Sequence, residues 1–253
     1  MKLRKLLIIL YLVMFGLVLH AEAVEFGIRG YYWFTDIEGE IRLDDGGTDG
    51  TLIDVKDDLG LDDENFPVIE GYIGLGKHQL NFSYFKLDFD GDNLLDRSIT
   101  FNGVTFNSGE RIRTDWETDV YDIKYQYDLV KIDNILAGFT GGLVARLQIL
   151  DGEAKMKTRL KETDDSYNQP IPYGGINLKL GLLPDSLETR LLATGGYYKG
   201  PWFDGQAEIS YAPSKWFQFN GGYRLLYFDI DAGDSELNDF HIGGAYLGAT
   251  LQF

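Results

Sequence analysis

The chain has 253 residues, with 40 Asp and Glu against 23 Lys and Arg, a formal charge of −17 at pH 7. That excess of negative charge argues against nucleic acid as a partner. There is no cysteine, which excludes disulfides, thiol catalysis, c-type haem attachment and a lipid-modified cysteine anchor.

The chain begins with Lys2, Arg4 and Lys5, then an apolar run over residues 6–19, then Ala21-Glu22-Ala23. Basic residues, a short apolar run and small residues two apart predict a secretory signal peptide over 1–23, cleaved after Ala23. The apolar run is short for a membrane-spanning helix of about 20 residues. Removing residues 1–23 takes away three basic groups and one acidic one, leaving 20 against 39 and a charge of −19. Beyond Ala23 no stretch approaches the ~18 apolar residues of a crossing helix. A mature chain that spans a membrane must therefore cross it with strands.

Residues 24–253 carry no Pro- or Ser-rich linker and read as one domain. Segments of about 10 to 13 residues put apolar side chains on one parity and polar or Gly residues on the other, joined alternately by tight turns and longer acidic stretches. The first strand, 24–41, sets Val24, Phe26, Ile28, Tyr32 and Phe34 against Glu25, Gly27 and Arg29, and an acidic excursion follows over 44–65. The second, 68–75, opposes Ile69, Ile73 and Leu75 to Glu70 and Tyr72; it turns at Gly76-Lys77-His78. The third shows Leu80, Phe82 and Tyr84, then shifts parity at Phe85, Leu87 and Phe89, which predicts a bulge or a departure from the membrane. After a long segment over 90–114, the fourth sets Tyr121, Ile123, Tyr125 and Tyr127 against Asp122, Lys124 and Gln126.

The fifth strand, from Ile135, opposes Phe139, Leu143, Ala145, Leu147 and Ile149 to Thr140, Arg146 and Gln148; the sixth opposes Ile176, Leu178, Leu180 and Leu182 to Asn177 and Lys179. The seventh, 187–198, is the least regular. The eighth alternates Phe203, Ala207, Ile209 and Tyr211 with Asp204, Gln206, Glu208 and Ser210. The ninth opposes Phe217, Phe219, Tyr223 and Leu225 to Gln218, Asn220 and Arg224. In the tenth, His241, Gly243, Ala245, Leu247, Ala249, Leu251 and Phe253 share one face. The whole predicts an all-β fold, an antiparallel up-and-down transmembrane β-barrel of ten strands, with eight as the alternative count.

A soluble β-sandwich alternates too, but the leader, the terminal Phe253 and the aromatic clusters favour the barrel. Tyr31, Tyr32, Trp33 and Phe34, with Tyr197, Tyr198, Trp202 and Phe203, are the predicted interfacial belts. Five Gly pairs, 141–142, 174–175, 195–196, 221–222 and 243–244, are read as points where the sheet bends.

The leader, the alternating strands and the terminal aromatic resemble small bacterial outer-membrane barrels, the group that includes the outer-membrane protein A transmembrane domain and the outer-membrane protein W family. Ten strands depart from the eight of those two. The resemblance implies a Gram-negative outer-membrane location, contact with outer-membrane lipid and lipopolysaccharide, and a Phe253 read by the barrel assembly machinery as an assembly signal.

The polar parity would gather Glu70, Asp122, Asp204 and Glu208 with Lys124, Arg146, Lys179 and Arg224 inside the barrel. Four acids and four bases in a confined lumen can neutralise one another, and a barrel of this size is filled by side chains, which predicts a plug. Lys155, Lys157, Arg159 and Lys161 fall on one parity of the connection after the fifth strand and are candidates for contact with glycolipid phosphates. His241 is the candidate base, but Ile242-Gly243-Gly244 follow it in place of the His-x-Ser-Asn of lipid A deacylases. No metal is expected, because the oxygen-rich run at Asp88-Phe89-Asp90-Gly91-Asp92-Asn93 reaches Ile99 where an EF-hand loop has Glu. No cofactor is expected either. The expected function is non-enzymatic, a structural or surface-interaction role behind acidic outer loops. A narrow porin-like channel is the alternative, and a barrel enzyme acting on envelope lipid or peptide comes third.

Overall fold

The computed structural model describes residues 24–253 apart from Gly46 and Tyr198. The predicted leader and the Tyr198 part of the aromatic belt lie outside the described residues.

The wall opens with β1 (Val24–Phe34) and β2 (Asp36–Leu43), and continues through β4 (Asn65–Leu75), β5 (His78–Leu94), β8 (Arg111–Ile132), β9 (Phe139–Lys157), β10 (Glu162–Leu183), β11 (Leu187–Tyr197), β12 (Pro201–Ser214), β13 (Phe217–Asp231) and β14 (Ser235–Gln252). The short β3 (Ile53–Asp54), β6 (Ile99–Phe101) and β7 (Val104–Phe106) lie in the long connections. From β4 to β14 each wall strand pairs antiparallel with the next, β1 pairs with β4, and β1 closes on β14 from Gly27 opposite Gln252 to Trp33 opposite Tyr246. β1 and β2 share one position in the wall, so the result is a closed antiparallel barrel of ten strands. Closure leaves the membrane-level backbone without free hydrogen-bonding groups, as hydrocarbon requires.

The predicted first strand is two. It breaks at Thr35, whose backbone N–H and hydroxyl both donate to the carbonyl of Glu64, at 3.0 and 2.7 Å. Below the break β1 lies between β4 and β14; above it β2 pairs with β14 and β3. Short turns at 76–77, 133–138, 184–186 and 215–216 occupy the barrel end that also carries Val24 and Phe253. At the opposite end β5, β8, β9 and β10 run well past their predicted limits. Within the long segment 90–114, β5 continues to Leu94 and β8 begins at Arg111.

The expected bulge in the third strand is absent, since β5 and β8 pair without interruption from His78 opposite Tyr127 to Leu94 opposite Arg111. What changes there is the environment. Up to the row Tyr84, Tyr121 and Ile149 the outer face is apolar and the inner face polar; one row higher the outer face carries Lys86, Asp119 and Asp151. The inner face turns apolar at the same level, with Phe85, Leu87, Phe89 and Val120 buried. Hydrocarbon outside selects the lower arrangement and water outside the upper one.

The acidic excursion 44–65 is not a solvated loop. It turns Ile53, Val55, Leu59 and Leu61 into the barrel mouth, where Leu95, Ile99, Phe101 and Phe106 join them over Trp33, Phe85, Phe89, Phe228 and Phe240. Burying each such side chain contributes about 1.5–3 kcal/mol. The upper barrel is thus a dry core with an acidic rind.

The predicted belts hold by half. Tyr32 and Phe34 face outward, whereas Tyr31 and Trp33 are buried inside; Phe203 faces outward and Trp202 inward. In a run of four aromatics the strand period still sends alternate residues to opposite faces. The glycine pairs make room for inward rings: a Cβ on Gly222 would lie 2.8 Å from the Tyr246 ring, and one on Gly196 would lie 2.5 Å from the Trp202 ring.

Candidate functional site

The strand period fixes which charges meet. Arg146 on β9, Asp122 on β8 and Asp204 on β12 all take inward positions and are nearly fully buried. The Arg146 guanidinium donates from Nε to Asp122 at 2.7 Å and from Nη1 to Asp204 at 2.5 Å, with the Thr194 hydroxyl at 3.3 Å. Arg224 on β13 reaches the same Asp204 at 2.8 Å and donates to the Tyr31 hydroxyl at 3.2 Å. One carboxylate thereby holds two arginines. Planar forks with several donors suit such sharing better than a lysine ammonium would.

Arg224 also marks the ceiling of the polar zone, because its guanidinium stacks 4.9 Å from the Trp33 ring and 4.8 Å from Phe85, both part of the apolar core above. Lower down, Glu208 forms an ion pair with Arg29, accepts from the Tyr246 hydroxyl at 2.8 Å and lies 3.9 Å from Arg190. Lys124 meets Glu70 at 3.4 Å. Tyr173 covers Arg146 at 5.2 Å and donates its hydroxyl to Gln148 at 2.7 Å.

Of the eight predicted lumen charges, Glu70, Asp122, Asp204, Glu208, Lys124, Arg146 and Arg224 are therefore joined in ion pairs. Lys179 lies on the inner face but has no carboxylate within 4 Å among the described residues. The expected balance of four acids and four bases is also corrected, because Arg29 and Arg190 belong to the set. Arg29 was visible on the polar parity of the first strand. Arg190 was hidden by the adjacent Leu191-Leu192, which put apolar side chains on both faces of β11.

The predicted glycolipid contacts do not form one row. Lys155 and Lys157 point outward on β9 and Arg159 lies in the hairpin turn, while Lys161 donates to the Thr105 carbonyl at 2.6 Å and meets Glu110 at 3.5 Å. Lys161 is spent on the cap. His241 sits at the outer rim with its Nε2 3.4 Å from Glu38 and its Nδ1 3.0 Å from the Asp239 carbonyl. It lines a recess of about 430 Å³ with Glu40, Asp54, Lys56 and Asn238. In that recess Lys56 bridges Asp36 and Asp63, and its hydrogen bond to Asp36 lifts the ammonium above the usual lysine range. The same bond holds the Asp36 carboxyl below its usual range. Phe253 closes the bottom seam: its N–H donates to Phe26 at 2.8 Å, and the two rings stack at 5.3 Å.

No protein-family model matches the chain, and no curated protein does. Among solved structures it is similar to the Escherichia coli outer membrane protease OmpT, at 11% identity over 90% of this chain and 97% of that one, with a TM-score of 0.49. It is similar to Neisserial surface protein A at 12% identity over 92% and 100%, with a TM-score of 0.39. The attachment invasion locus protein Ail of Yersinia pestis gives 13% identity over 92% and 99%, with a TM-score of 0.36.

Proposed function

We propose that this chain is a non-enzymatic barrel of the Gram-negative outer membrane that works as a closed surface protein, with its acidic rind facing outward and its short turns facing the periplasm. The observation that carries the reading is the stacked closure of the lumen: the Arg146, Asp122, Asp204 and Arg224 network fills mid-height, and the apolar cap fills the mouth directly above it. A solute path would have to break both layers, each against a different driving force.

Two features support the surface role. The outer wall above the lipid level carries Asp88, Asp90, Glu117, Asp119, Asp151 and Glu153 on one face, a field that selects cationic or cation-bridged partners such as lipopolysaccharide. Lys157 and Arg159 supply exposed cations for glycolipid phosphates at the hairpin tip. Against an enzyme, His241 is engaged by Glu38 and a backbone carbonyl, which supplies no nucleophile. Single-channel recording in planar bilayers tests the proposal. The refolded protein is expected to be silent, and regular stepwise currents from the unaltered chain would replace this reading with the narrow channel.

A further inference from the structure

The lumen charges do not close at the periplasmic end. Five buried or half-buried bases, Arg29, Lys124, Arg146, Arg190 and Arg224, share the inner face with the buried acids Glu70, Asp122, Asp204 and Glu208 and the half-buried acids Asp128 and Glu188. Lys179 adds a sixth base at the same end as Arg190. It lies directly opposite Arg190 across the β10 and β11 pairing, two like charges on the same inner face. Such a pair is destabilising unless something negative lies between its members. Arg190 lies 3.9 Å from Glu208, its register partner on β12, and donates from Nη2 to the Gln206 side chain at 3.4 Å, which leaves its Nε without a hydrogen-bond partner. The other carboxylates at this end do not serve: Asp128 takes the Gln126 amide at 2.7 Å, and neither it nor Glu188 lies within 4 Å of Lys179.

Asn177 points to the occupant. It lies two residues from Lys179 on the same face of β10, is 1% exposed, and neither its amide nitrogen nor its amide oxygen finds a partner among the described residues. A buried amide left unmade costs about 1–3 kcal/mol. Side chains two apart on a strand stand about 7 Å apart, a gap that one tetrahedral oxyanion can bridge.

We propose that Lys179, Arg190 and Asn177 form a phosphate-binding site at the periplasmic mouth of the lumen. Lys179 and the Arg190 Nε–H donate to phosphate oxygens, and the Asn177 amide N–H₂ donates from the floor. The Asn177 carbonyl oxygen accepts from a P–OH, so the site takes phosphate or a phosphate monoester in preference to sulfate or a phosphodiester. The shared chemistry is the protonated phosphate group; its source is free phosphate or a monoester on a larger periplasmic molecule.

The test is thermal unfolding of the refolded barrel in a phosphate-free maltoside detergent, titrated with phosphate, glycerol phosphate, sulfate, glycerophosphoglycerol and chloride at matched ionic strength and pH. Phosphate is expected to raise Tm saturably. A tenfold tighter response to glycerol phosphate identifies a monoester as the source, and a tighter response to phosphate identifies the free ion. Lys179→Met and Asn177→Leu are expected to weaken the phosphate response at least tenfold. Asn177→Leu removes an unpaired polar group and is expected to fold at least as well as the parent without phosphate. An equal response to chloride and phosphate, or phosphate binding unchanged in both variants, overturns the site.

Discussion

At the scale of single residues, Arg146 is where sequence and structure agree most closely. Its parity alone placed it inside, and the structure gives it two carboxylates and a hydroxyl. Removing one partner of a buried ion pair leaves the rest uncompensated, at a cost of about 3–5 kcal/mol. Arg146→Met is therefore expected to lower the unfolding midpoint in urea far more than Lys157→Ala, which removes an exposed side chain worth under about 1 kcal/mol. Equal small shifts would show that Arg146 does not hold the lumen together. Phe253 is different, because it is half exposed and its ring contributes a contact to Phe26 of about 0.5–1.5 kcal/mol. That is too little to decide folding. Deleting it is expected to impair assembly in cells while detergent refolding stays near normal; equal failure in both would assign it to packing alone.

The strands themselves were legible because an alternation of period two states which face each residue takes. The parity shift at Phe85 was also legible, although it was open between a bulge and a departure from the membrane. The cap was not legible. Ile53, Val55, Leu59 and Leu61 share one parity, but Asp57 interrupts it and nine acids surround them over residues 44–64, and what buries them is contact with strands far away in sequence. The cap is pinned at its edge by carboxylates. Asp36 is held below its usual range by Lys56, and Asp58, though partial burial pushes it up, is held below it by Arg97. A carboxyl lowered in the folded state stabilises above its unfolded pKa and loses that contribution as pH falls through the lowered value. Proteolysis within residues 44–65 is accordingly expected to stay slow down to about pH 4 and to accelerate below it, and a rate independent of pH would refute this latch. Leu59→Ala in the same segment is expected to cost about 2–5 kcal/mol of cap stability, read as faster cleavage at neutral pH while the barrel strands stay resistant to the protease.

For the whole molecule, the lower half of the barrel could be read from the chain and the upper half could not. Charges drawn to one parity implied a lumen network, yet Arg190 and the unpartnered Lys179 required the closed wall that brings β10, β11 and β12 side by side. Arg146→Met tests the two-layer closure as well, since removing the lower layer should leave the apolar cap as the only barrier. Conductance of that variant is expected to stay below that of a double variant that also carries Leu59→Asp. If the single variant already conducts as freely, the cap is not a seal.

The simultaneous reversal of inner and outer faces above the row Tyr84, Tyr121 and Ile149 gives the protein a waterline. Sliding β8 by a single residue would turn Asp119 inward and send Val120 to the surface. Sliding by two would keep the faces but sink the charged row into hydrocarbon. Each strand on this side of the wall therefore carries its own depth mark, and the level at which the barrel rides in its bilayer is set by the chain before any neighbouring protein or lipid adjusts it.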